Sequence, residues 1–120
     1  MKAVKTSNIR CRALVKSRQP FTANNLFGVR MPANPDSNLT ERYVVYSYGT
    51  HFPLFVWQAC DQGSEFGMWF ENQDRYSVTT SKHKSQSHPH YPTTPMTTGA
   101  LQRIAEDGLS GLAVLGEAKL

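Results

Sequence analysis

The chain has 120 residues, 39% of them apolar and 18% charged, with six Phe, five Tyr, two Trp and a formal net charge of +4. That suits one folded domain over residues 1–120 and excludes both a disordered tail and a chain too small to fold without disulfides or metal. Two cysteines make no disulfide framework, no apolar run is long enough to span a membrane, and the N-terminus has no signal-peptide pattern, so reduced thiols, a cytoplasmic location and no membrane partner are expected.

Charge is unevenly spread. Residues 1–42 carry Lys2, Lys5, Arg10, Arg12, Lys16, Arg18, Arg30 and Arg42 against Asp36 and Glu41, whereas residues 43–81 carry Arg75 against Asp61, Glu65, Glu71 and Asp74. A basic first third permits a polyanionic partner, although a solubilising surface explains it equally.

In Ile9–Lys16 the residues Ile9, Cys11, Ala13 and Val15 alternate with Arg10, Arg12 and Lys16, which predicts a half-buried strand with a basic outer face. Leu26–Met31 is a second strand, with Gly28 marking a bulge or a close backbone approach. Pro32–Thr40 is a loop by its prolines and asparagines. Arg42–Tyr48, Pro53–Gln58, Phe66–Glu71 and Tyr76–Thr80 then predict four short strands, separated by Gly49-Thr50, by Asp61-Gln-Gly63 and by Asn72-Gln-Asp74. Prolines 89, 92 and 95 argue against regular structure over Ser81–Pro95. Thr97 or Thr98 offers an N-cap to a helix through Asp107, with Leu101, Ile104 and Ala105 as its apolar stripe and Gly108 as its stop. Leu109–Leu120 reads as a final extended or frayed segment. The expected fold is α+β: a twisted antiparallel sheet of about five or six strands with one C-terminal helix packed on one face.

Ten aromatics fall between Tyr43 and Tyr76 and point to both faces of such a sheet. Tyr46 and Tyr48 are expected on one face and Tyr43 on the other. Exposed tyrosines beside basic residues suit base stacking or a protein interface, while burial in the core is the plainer account. Thr79–His90 gathers two lysines, three histidines and five hydroxyls, the side chains that hold phosphate oxygens. The resulting binding candidates are Arg10, Arg12, Lys16, Tyr46, Tyr48, Lys82, His83 and Lys84.

Chemistry is less well signalled. His83, His88 and His90, with His51 and Cys60, raise a zinc site, but His88-Pro-His90 is their one close pair. Cys60 stands beside Asp61, which disfavours a thiolate, and Cys11 falls on the apolar side of its segment. There is no nucleophile elbow, no phosphate-cradling glycine loop and no recognisable pair of carboxylates. No catalytic residue, metal or cofactor is therefore expected.

Tyr43-Val-Val-Tyr-Ser-Tyr-Gly-Thr-His-Phe-Pro-Leu-Phe-Val56 and Arg75-Tyr-Ser-Val-Thr-Thr-Ser-Lys-His-Lys-Ser-Gln86 resemble stretches of small uncharacterised accessory proteins encoded by phages, prophages and plasmids. The resemblance implies a non-enzymatic binding protein, such as an anti-CRISPR or antirestriction antagonist that occludes a host effector or nucleoprotein. The basic residues and tyrosines leave a small nucleic-acid-binding module as the alternative and a His-based metal enzyme as a distant third. A second copy of the chain is a further candidate partner.

Overall fold

A computed structural model describes residues 3–34, 36, 39–48, 52–61, 66–74 and 77–107. In chain order the elements are β1 (Val4–Lys5), α1 (Arg12–Lys16), β2 (Phe21–Ala23), β3 (Leu26–Met31), β4 (Arg42–Ser47), β5 (Pro53–Ala59), β6 (Gly67–Asn72), α2 (Val78–Ser87), β7 (Thr94–Met96) and α3 (Thr98–Asp107). The strands lie in one sheet in sequence order. β2 to β6 pair antiparallel, as the α+β reading requires, and β1 and β7 add to the two ends in parallel. Parallel neighbours need a crossover connection, and α1 and α2 lie within the two crossovers.

Both faces of the central strands are buried, which explains why β4 and β5 are almost wholly sequestered. Tyr43, Val45, Phe55, Trp57 and Trp69 join Phe21, Leu26 and, from the α1 region, Cys11 and Val15 in one core. Val44, Tyr46, Val56 and Phe70 meet Leu101, Ile104 and Ala105 of α3 in the other. The period-2 alternation of strands sorts the aromatics between these cores. Each large apolar side chain so buried contributes roughly 1.5–3 kcal/mol. Gly28 lets this packing close: a Cβ there would stand 2.5 Å from the Phe21 ring and against the Tyr43 hydroxyl.

The C-terminal helix forms where its cap and stripe predict. Thr97 Oγ1 accepts from Ala100 N at 3.2 Å, and Asp74 accepts from both Thr98 N and Thr98 Oγ1 at 2.8 Å. Those hydrogen bonds hold the Asp74 carboxyl below its ordinary pKa. At the other end Arg42, buried on β4, donates from Nε to the Ala105 carbonyl at 2.8 Å.

Several local expectations are overturned. Ile9–Lys16 is no strand: its last five residues form α1, with Ile9 82% exposed and Cys11 and Val15 buried four residues apart on the helix's inner side. Val78–Thr80 open α2 instead of continuing a strand, because Ser77 caps the helix by accepting from Thr80 N at 3.0 Å. Ser81–Pro95 is therefore not irregular throughout; α2 runs to Ser87, and the prolines fall after it. The expected turns at Gly49-Thr50 and Gln62-Gly63, together with His51, Arg75, Tyr76, Gly108 and Leu109–Leu120, lie outside the described residues. No helix among the described residues is long and apolar enough to cross a membrane.

Candidate functional site

The end of α1 sets up the most distinctive surface. Arg18 N donates to the Val15 carbonyl at 3.0 Å and Gln19 N to the Leu14 carbonyl at 2.8 Å. This pair of bonds closes the helix through a left-handed residue, a place normally taken by glycine. Here it is Arg18, at φ 55°. The turn is anchored by Tyr43, whose hydroxyl donates to the Gln19 carbonyl at 2.7 Å. From it the Arg18 guanidinium lies over the Trp57 ring, 4.1 Å from the ring centre. A cation over an indole face is attracted by the ring's quadrupole.

Trp57 is positioned from the next strand as well. It sits opposite Trp69 in the β5–β6 ladder, while Gly67 pairs with Ala59. A Cβ on Gly67 would stand 2.5 Å from the Trp57 indole and against the Gln58 carbonyl, so the missing side chain gives the ring its place. β7 pairs with Phe70–Asn72, and among the described residues the Gly67–Trp69 half of β6 has no ladder partner on that side. Beside that half-strand a cleft of about 580 Å³ opens, lined by Arg18, Trp57, Phe66, Met68, Trp69 and Tyr91 among others. Phe66 is 81% exposed, and Met68 and Tyr91 are each 45% exposed.

Further along β6 lies a polar network. Glu71 accepts from Thr93 Oγ1 at 2.9 Å and faces Lys84 Nζ at 3.0 Å and His88 Nε2 at 3.1 Å. His88 Nδ1 accepts from His90 N at 2.9 Å, which leaves Nε2 to carry the proton toward Glu71. Burial alone would raise the Glu71 carboxyl, but the hydrogen bonds from Lys84 and Thr93 and the nearby charges bring it below its ordinary range. Lys16 stands with its ammonium 5.5 Å from the Tyr91 ring centre. His90 is depressed chiefly by the charge of Arg12, then by burial, His88 and Lys16.

The residues expected to bind are scattered. Lys16 stands beside Tyr91, one of the residues lining the cleft. Arg10 is exposed on the turn before α1. Arg12 is committed to α2, donating to the carbonyls of Ser85 at 2.6 Å and His88 at 2.9 Å. Tyr46 is buried under α3, with its hydroxyl pushed up by burial and by Glu106. Tyr48 does not share a face with Tyr46; it turns away at φ 58°, with its ring 5.4 Å from that of His83. His83 is buried and meets Ser47 Oγ at 2.8 Å. Lys84 donates to the Asn72 carbonyl at 2.8 Å as well as facing Glu71. Lys82 is exposed.

Arg18, Trp57, Trp69 and Tyr91 are absent from the sequence-based set. Their grouping depends on a helix end, a cross-strand pair and a loop meeting, and no linear spacing marks it. Cys11 is buried, and burial pushes its thiol up to about 11, far from a working nucleophile. Among the described residues no three His, Cys, Asp or Glu side chains come together as metal ligands would. No family model, curated protein or solved structure matches the chain.

Proposed function

We propose that this is a non-enzymatic binding protein of a phage or other mobile element, acting against a host defence of the CRISPR or restriction type by occluding a protein or nucleoprotein target. The binding element is the cleft between α1, β6 and Tyr91. The observation that carries this reading is the Arg18 guanidinium over Trp57, 4.1 Å away, beside exposed Phe66, Met68 and Tyr91. Exposed aromatic and arginine side chains gathered in a concavity favour tight association. The mobile-element context rests on the Tyr43–Val56 and Arg75–Gln86 stretches. A binding role without catalysis also accords with titratable groups that are engaged in holding the fold, as Glu71 and His83 are.

The test is phage plating on hosts with active CRISPR or restriction systems. Expression of the chain should raise plating of a targeted phage, and Arg18→Glu should abolish the gain. Unchanged plating across such hosts would remove the reading's support.

A further inference from the structure

We propose that the cleft seats single-stranded nucleic acid, with a nucleobase stacked against Arg18 and Tyr91 and the adjoining phosphates held by Lys16 and Arg18. This rests on the binding role above and names the part of a nucleoprotein target that enters the cleft.

The surfaces suit a base. One side of the Arg18 guanidinium plane is taken by Trp57, and arginine planes and tyrosine rings are the groups on which unstacked bases lie. Tyr91 is 45% exposed at the same opening, already with a cation beside its ring. A duplex keeps its bases stacked on one another and cannot offer a face to this cleft, so the ligand is a single strand.

The charges suit phosphate. None of the described residues lining the cleft is acidic. The charges of Arg12 and Lys16 both act on His90, the neighbour of Tyr91, and the Glu71 carboxylate is already matched by Lys84, His88 and Thr93. A basic peptide finds no acidic partner among the described lining residues, whereas a polyanion finds Arg18 in the lining and Lys16 beside the Tyr91 ring.

The backbone points the same way. Arg18, in the lining, and His90, next in the chain to Tyr91, both adopt left-handed φ, 55° and 60°. Glycine would close α1 with less strain than arginine. Strained residues gather at sites where the side chain they place has a use.

The chain offers a clean readout, because it has two tryptophans and both line the cleft. The full chain is titrated at about 50 mM salt with a short oligothymidylate, a duplex of the same length and inorganic polyphosphate, following tryptophan emission and the anisotropy of a labelled oligonucleotide. The single strand should quench emission and bind about tenfold more tightly than the duplex, the effect of about one stacked base. Its affinity should fall steeply with salt, and polyphosphate should leave the emission unchanged. Arg18→Gly suits the backbone at that position, so it should retain the fold, yet it should weaken the single strand about tenfold, as should Tyr91→Ala. No binding of the oligonucleotide, equal quenching by polyphosphate, or unaltered affinity in Arg18→Gly would each overturn the proposal. If the oligonucleotide fails while plating is still raised by the wild type and lost in Arg18→Gly, the cleft holds a protein group. The nucleic-acid assignment then falls and the antagonist reading stands; if plating also fails, both fall.

Discussion

Ser47 Oγ and His83 Nδ1 lie 2.8 Å apart, both residues buried, and join the central strand β4 to α2. Nearly all of α2 is polar, and this contact ties its inner side to the sheet.

The pair makes stability depend on pH. Burial, and then the charge of Lys82, lowers the His83 pKa below its ordinary value of 6.5. The unfolded chain therefore binds the proton more readily than the native one. Stability from this group is complete above about pH 6.5 and is lost as pH falls toward the lower native pKa. Urea unfolding between pH 7 and pH 5 should show that loss. His83→Asn, which cannot titrate, should flatten it without removing it, since His90 is depressed in the same sense. Ser47→Ala should cost about 1–3 kcal/mol at pH 7 by leaving a buried ring nitrogen without its partner. An unchanged acid slope in His83→Asn would show that another group controls it.

Arg12 separates the structural cations from those available to a ligand. Its guanidinium closes the C-terminal end of α2 through the Ser85 and His88 carbonyls, where a positive charge is also favoured by the helix dipole. Arg12→Met should therefore destabilise the fold by about 1–2 kcal/mol. Lys16→Met should leave stability within about 0.5 kcal/mol, as an exposed change away from such features. Chemical denaturation of the two variants checks the contrast, and equal losses would mean that Arg12 contributes no cap.

Gly67 leaves no room for a side chain beside Trp57. Gly67→Ala places a methyl group against the Trp57 indole and the Gln58 carbonyl. Overpacking of this kind costs about 1–3 kcal/mol and outweighs the roughly 0.4–1 kcal/mol gained from a stiffer unfolded chain. The variant should melt at lower temperature, with altered tryptophan emission as Trp57 is displaced from under Arg18. Wild-type emission and melting would show that the ladder shifts freely.

Legibility in the sequence followed the range of the determining interactions. Tyr43 to Phe70 alternate with period 2 in runs rich in aromatic and β-branched residues, and the strands formed there. Thr97 followed by Leu101, Ile104 and Ala105 is a local cap with a local stripe, and it made α3. In Ile9–Lys16 the same residues satisfy two periods, because Cys11, Leu14 and Val15 fit a helix as well as Cys11, Ala13 and Val15 fit a strand. Contact with the Phe21 and Tyr43 core decided between them. α2 buries Thr80, His83 and Ser87, which carry no hydrophobic signal, and its C-terminal cap comes from Arg12.

The residues by themselves determined an aromatic antiparallel core and a C-terminal helix, since alternation, capping and apolar spacing act between near neighbours. Tertiary structure alone decided the rest. The face opposite α3 is covered by α1 and α2, and two- and three-residue edge strands close the sheet through pairing alone. The cleft exists because a helix end at Arg18, a glycine on β6 and the loop at Tyr91 meet in space, and three segments so far apart in the chain are brought together only by the packing of the whole.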